Sequence, residues 1–218
     1  DFELSMDVAI IDYKMSNLFS VQAACENVGL SSIITSDKDE ILDAKVAILP
    51  GVGAFGEAMK FLCDSKLDDT IDQFVDSGKP FVGICLGLQL LFESSVEFGN
   101  YSGLGLVKGK VRKFQFYSNN SVKYPVPQIG WNMIKQTNNS WDDSLLCNNA
   151  NGDFMYFIHS YFVEPNDESI ILSKTIYGNT EYCSSIKQDN IFGYQFHPEK
   201  SGVVGMKVYQ ELKKKLHN

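Results

Sequence analysis

Two short stretches carry residue types able to do covalent chemistry together. In Gly83-Ile84-Cys85-Leu86-Gly87 a cysteine stands between glycines, after the apolar run Pro80-Phe81-Val82-Gly83-Ile84 and ahead of a helical pattern at Leu88–Phe92. A thiol at such a strand-to-helix turn projects from the end of a sheet, as the serine of a G-x-S-x-G elbow does. The flanking glycines let the chain turn sharply, and the N-terminus of the following helix favours thiolate over thiol. That matters because a free cysteine has a pKa of ~8.5 and only the thiolate attacks. The backbone N–H of Leu86 would then face the oxyanion formed by the attack. The second stretch, His197-Pro198-Glu199, closes the apolar strand pattern Ile191–Phe196. Pro198 ends the strand and fixes a turn, so Glu199 can accept from one ring nitrogen of His197 while the other takes the thiol proton.

The other cysteines and histidines have no comparable setting. Cys25 falls on the apolar face of a helical pattern, and Cys63, Cys147 and Cys183 read the same way, because unpaired cysteine packs as a small hydrophobe. His159 lies in the strand pattern Tyr156-Phe157-Ile158-His159-Ser160-Tyr161 and reads equally well as a packed core imidazole; His217 reads as inert. Position alone leaves His197 open as a ligand or a base. His-x-Glu also occurs in zinc deaminases, but their P-C-x-x-C partner is missing from this sequence. Pro50-Gly51-Val52-Gly53 resembles a phosphate-cradling loop only weakly, since no Gly-Lys-Ser/Thr follows. Neither a metal nor a cofactor is expected.

These residues need a scaffold, and the first half of the chain supplies an alternation of strand and helix. Apolar runs at Val8–Ile11, Val46–Leu49 and Pro80–Ile84 read as buried strands, with a shorter one at Ser32–Thr35. Between them Leu18, Val21, Cys25 and Val28 recur at helical spacing up to Gly29. An acidic helix follows at Asp39–Asp43, and a longer helical stretch from Glu57 to Gly78 breaks near Asp64–Ser65. Such alternation predicts an α/β fold with a mostly parallel central sheet covered by helices on both faces. The second half is strand-rich, at Val107–Phe114, Gln128–Lys135, Asp153–Val163, Ser169–Ile176, Tyr182–Lys187 and Ile191–Phe196. Apolar residues fill both faces of the 153–163 run, which predicts one strand in the sheet interior. An amphipathic helix from Gly205 to Leu216 follows, with Lys213–Lys215 as its solvated end. The Ser/Asn-rich stretch Tyr117–Val122 reads as a loop tip.

Composition sets outer limits. The 218 residues are 44% hydrophobic and 21% charged with a net charge of −8, the balance of a globular domain and not of a nucleic-acid binder. No apolar run approaches the ~20 residues of a membrane span. Five cysteines, none in a C-x-x-C pair, argue against a disulfide framework and for the cytoplasm. Residues 6–218 read as one domain starting at Met6, with a five-residue leader, 1–5, before it.

Taken in order, six segments resemble the class I, triad-type glutamine amidotransferases along nearly the whole chain. They are Asp12-Tyr13…Asn17-Leu18, Leu49–Phe55, Gly83–Phe92, Gln128–Asn132, Tyr156–Tyr161 and Gln195–Ser201. The resemblance implies that fold, with added antiparallel strands. It also implies that Cys85 attacks the side-chain amide of L-glutamine, His197 relays protons and Glu199 orients His197. Gly53 and Leu86 would supply oxyanion N–H groups, and Gly51, Val52, Gln89, Ser160 and Tyr161 would contact substrate. Within the family the chain looks most like glutaminases that pass ammonia to a separate (β/α)8-barrel synthase subunit of histidine biosynthesis. Asn17, Trp131, Tyr156 and Lys200 match positions expected near that partner. The usual Asp-Tyr-Gly-x-Gly-Asn-Leu is here Asp12-Tyr13-Lys14-Met15-Ser16-Asn17-Leu18, so a paralogue serving another synthase, such as one for a surface-sugar precursor, is the alternative. A free-standing γ-glutamyl hydrolase would be fully active alone. A catalytically dead binding subunit would lose nothing on Cys85→Ala.

Overall fold

The short apolar runs become strands whose two faces both meet protein. In the computed structural model, which describes residues 6–14, 17–115 and 124–217, β1 (Val8–Ile11), β2 (Ser32–Thr35), β3 (Val46–Leu49) and β4 (Phe81–Ile84) form the parallel start of a sheet. The leader 1–5, Ser16 and the loop tip at 117–122 lie outside the described residues. Alternate side chains along each strand enter different layers. Val8, Ile10, Val46, Ile48, Val82 and Ile84 join one apolar cluster, while Ala9, Ile11, Ala47, Leu49 and Phe81 join the other.

Helices seal both layers. The first cluster is completed by Val21 and Cys25 of α1 (Leu18–Asn27). The second is completed by Ile41 of α2 (Lys38–Asp43), Phe55, Met59 and Leu62 of α3 (Phe55–Asp64) and Ile71 and Phe74 of α4 (Leu67–Asp76). Asp37 caps α2 by accepting from the N–H groups of Asp39 and Glu40 at 2.9 and 3.0 Å. The α3–α4 break falls at Lys66, which takes a φ of 57°. After β4 comes α5 (Leu86–Leu90), two residues earlier than the expected Leu88–Phe92, because the chain is already extended in β5 (Phe92–Ser95).

The strand-rich half continues with β6 (Tyr101–Ser102), β7 (Val107–Lys113), β8 (Gln128–Met133), β9 (Lys135–Gln136), β10 (Phe154–His159), β11 (Tyr161–Pro165), β12 (Ile171–Tyr177), β13 (Thr180–Gln188) and β14 (Ile191–Tyr194). Helix α6 (Gly202–His217) follows and buries Val208, Tyr209 and Leu212 in the first layer. Lys213 at its end is not simply solvated, since Nζ donates to the Val28 carbonyl at 2.8 Å. The main sheet runs β2-β1-β3-β4-β14-β13-β11-β7-β5-β6, parallel as far as β14 and antiparallel from β14 to β7. β12 pairs with β13, and β9 with β12.

The expected single strand 153–163 is corrected to two. It breaks at Ser160, where β10 leaves to form a separate antiparallel ribbon with β8, and only β11 lies inside the main sheet. Phe154 is accordingly 52% exposed. The alternation of apolar side chains runs unbroken through Ser160, so periodicity cannot register a change of sheet. The hairpin β13–β14 does most to build the site. It returns β14 alongside β4 with Tyr194 opposite Ile84, so both strands end at one level. The residues just past the two strand ends, Cys85 after β4 and Gln195 to Glu199 after β14, therefore meet at one edge.

Candidate active site

Cys85 takes a φ of 55° and ψ of −110°, a conformation L residues seldom adopt, so the strain of the turn resides in the cysteine itself. The flanking glycines serve a different purpose from the sharp turn expected of them. A Cβ on Gly83 would stand 2.9 Å from the Gly87 carbonyl oxygen, and one on Gly87 would overlap the Leu49 carbonyl. They let α5 lie directly on β4 and β3. Cys85 is 4% exposed, and its N–H donates to the Tyr194 carbonyl at 2.7 Å. Its Sγ lies 3.6 Å from the Ile158 carbonyl and 3.7 Å from Gln195 Nε2.

His197 leaves β14 with its N–H bonded to the Tyr156 carbonyl at 2.9 Å, and Pro198 opens a single 3-10 turn, Pro198–Lys200. That turn folds Glu199 back under the imidazole. Nδ1 donates to Glu199 Oε1 at 2.7 Å, and both side chains are fully buried. Asn17 Nδ2 donates to the same oxygen at 2.7 Å. With Nδ1 committed to a carboxylate, Nε2 remains for chemistry; it is buried and without a hydrogen-bond partner among the described residues. Burial works against charge on His197, yet the facing Cys85 sulfur and the Glu199 carboxylate together raise the imidazole to about 10. The arrangement favours the protonated imidazole.

His159 behaves otherwise. Its Nδ1 donates to the Tyr161 carbonyl at 2.7 Å, its Nε2 meets Gln128 and Tyr182, and burial lowers it to about 4. It is a neutral brace for the Ser160 break, as the packed-core reading expected.

A cavity of about 260 Å³ opens over the sulfur, lined by Val52, Gly53, Cys85, Leu86, Gln89, Glu97, Pro127, Ile158, His159, Ser160 and Tyr161. It gathers the expected oxyanion residues Gly53 and Leu86 and the expected substrate contacts Val52, Gln89, Ser160 and Tyr161. Gly51 is not in its wall: it lies below, where its carbonyl accepts from the Leu86 N–H at 3.3 Å. The N–H expected to be free for an oxyanion is thus occupied. Gln89 Nε2 is also engaged, donating to the Tyr161 carbonyl at 2.9 Å and to Gln195 Oε1 at 3.1 Å.

Two residues in the site escaped the sequence reading. Glu97 is the sole carboxylate in the cavity wall among the described residues. It is 8% exposed and accepts from the Phe55 N–H at 2.8 Å, and burial pushes its carboxyl up. Nothing in Ser94-Ser95-Val96-Glu97-Phe98 marks it by type or spacing. Gln195 did have a signal, standing two residues before His197 on the strand that delivers it.

Of the four residues expected near a partner, Trp131 is 53% exposed, Lys200 is exposed and Tyr156 is half-buried, its ring edge-on to Trp131 at 5.9 Å. Asn17 is half-buried, with its side-chain amide turned to Glu199. Lys14, replacing the usual glycine, has a φ of 63° and so holds the left-handed conformation a glycine would supply.

A cysteine on a strained elbow and a buried His-Glu pair thus lie side by side at the carboxyl ends of parallel strands, the arrangement expected of a triad-type site. The chain belongs to the glutamine amidotransferase class-I family, whose profile matches residues 9–213. It is 46% identical to the imidazole glycerol phosphate synthase subunit HisH of Aquifex aeolicus, covering 96% of this chain and 97% of that one. It is 42% identical to the HisH subunit of Bacillus subtilis, over 95% of each chain. Among solved structures, PurLQS from Thermotoga maritima superposes with a TM-score of 0.74 at 22% identity, covering 98% of this chain and 100% of that one, a likeness of fold.

Proposed function

We propose that this chain is the glutaminase subunit of an imidazole glycerol phosphate synthase. It hydrolyses L-glutamine to glutamate and passes the ammonia to a separate (β/α)8-barrel subunit in a heterodimer, for histidine biosynthesis in the cytoplasm. The observation that carries the chemistry is the 2.7 Å bond from His197 Nδ1 to Glu199, which leaves a buried Nε2 toward the Cys85 side. Cys85 Sγ attacks the amide carbon, and the resulting oxyanion is met by backbone N–H groups of Leu86 and Gly53. His197 then gives its Nε2 proton to the departing nitrogen, which leaves as ammonia, and a γ-glutamyl thioester remains. Water attacks that thioester with His197 as base, so glutamate departs and the thiol is restored. Glu97 is suited to the substrate's α-ammonium, since a buried carboxylate gains most from an opposite charge.

Because the Gly51 carbonyl holds the Leu86 N–H, hydrolysis in the isolated chain should be slow, and partner binding should displace that contact. Partner docking is supported by the β8–β10 ribbon. Its outer face carries Ile129, Trp131, Met133 and Phe154, between 43% and 60% exposed. Five free thiols are in keeping with a reducing compartment. The similarity to HisH subunits at 46% and 42% identity favours the histidine-pathway partner over another synthase.

The test is glutamate release by the chain alone, then with the histidine-pathway barrel subunit and its nucleotide ligand. Strong stimulation is expected. Activity without stimulation by that synthase would overturn the histidine assignment and leave the glutaminase standing.

A further inference from the structure

Tyr13 lies just beyond the end of β1, fully buried, and its hydroxyl donates to the carbonyl of Pro50, just beyond the end of β3. The two strands are parallel neighbours, in register from Val8 with Val46 to Ile10 with Ile48, so both residues leave the sheet at one edge. The very next carbonyl, that of Gly51, is the one that occupies the Leu86 N–H. The tyrosine ring is seated against Gly51 so closely that an added Cβ would overlap the hydroxyl oxygen and stand 3.0 Å from Cζ. Burial, reinforced by the nearby Cys85 sulfur, keeps the phenol protonated and therefore a donor.

We propose that Tyr13 is a positioning residue for the oxyanion segment. Its hydroxyl pins the Pro50–Gly51 peptide and so keeps the following carbonyl over the Leu86 N–H, holding the site slow until the segment rearranges. Freed of the pin, Pro50 and Gly51 can turn together and release the Leu86 N–H. This rests on the glutaminase reading of Cys85 and Leu86 above.

Tyr13→Phe removes the donor and keeps the ring. In the isolated chain it should raise kcat for glutamine hydrolysis by about 5-fold, the ratio set by one net hydrogen bond, with KM little changed. Stimulation by the barrel subunit should shrink by the same factor. An unchanged or lower kcat in a folded Tyr13→Phe chain overturns the proposal. Gly51→Ala supplies an independent readout, the thermal midpoint. It should lower the midpoint sharply in the native background and much less beside Tyr13→Phe, where the overlapping oxygen is gone; equal damage in both overturns the pinning contact. A native chain with no glutaminase activity, alone or with the barrel subunit, would instead overturn the underlying reading, and the thermal cycle would still decide the contact.

Discussion

Asn17 Nδ2 donates at 2.7 Å to Glu199 Oε1, the same oxygen that accepts the His197 Nδ1 proton at 2.7 Å. A residue from the loop before α1 thus steadies the carboxylate that steadies the imidazole. Asn17→Gly tolerates the native φ of 85° while removing the amide, so it separates this contact from backbone strain. It should lower kcat roughly 10-fold with KM nearly unchanged, by analogy with losses seen when a ligand-orienting neighbour is removed. Steady-state kinetics on glutamine measure both.

The charge on Glu199 is one of the forces holding His197 at about 10. Because the folded pKa lies above the ordinary 6.5, the stabilisation from charged His197 is complete below that ordinary value and is lost as pH rises through about 10. Glu199→Gln keeps an acceptor but removes the charge, so the loss should move to lower pH. Thermal midpoints across alkaline pH, with His197 followed by NMR, should show the limb displaced toward neutrality; an unmoved limb would contradict the pairing.

Glu97→Gln keeps an oxygen for the Phe55 N–H and removes the negative charge from the cavity. If this carboxylate receives the α-ammonium, KM for glutamine should rise ~10-fold or more, the size of a lost charge-assisted bond, while kcat changes less.

Gly87→Ala would drive a methyl into the Leu49 carbonyl, backbone against backbone, with no flexible end to yield. The expected cost is about 3 kcal/mol, the upper end for overpacking, read as a large fall in the denaturation midpoint. A mild effect would mean that α5 can lift off β3.

Trp131 stands half-exposed on the outer face of the β8–β10 ribbon, with Tyr156 against its edge. Trp131→Ala should leave the thermal midpoint of the isolated chain nearly unchanged and weaken binding to the barrel subunit ~30-fold or more, as for an aromatic anchor. Titration calorimetry with the purified partner measures this.

Where local chemistry dictated the outcome, the sequence was sufficient. The runs Val8–Ile11, Val46–Leu49 and Phe81–Ile84 could only be strands buried on both faces, and they are. Cys85 and the His197–Glu199 pair stood out because their neighbours, glycines in one case and a proline in the other, constrain the backbone in recognisable ways. The division at Ser160 did not stand out, since a strand that changes sheet keeps its period of two.

Tertiary structure alone decided the long-range partners. The inward turn of Asn17, the place of Glu97 in the cavity wall and the contact of the Gly51 carbonyl with Leu86 all join residues far apart in the chain. No local spacing encodes such pairings, because they depend on which strands lie side by side. Sequence singled out Cys85 and His197; the return of β14 beside β4 made them neighbours.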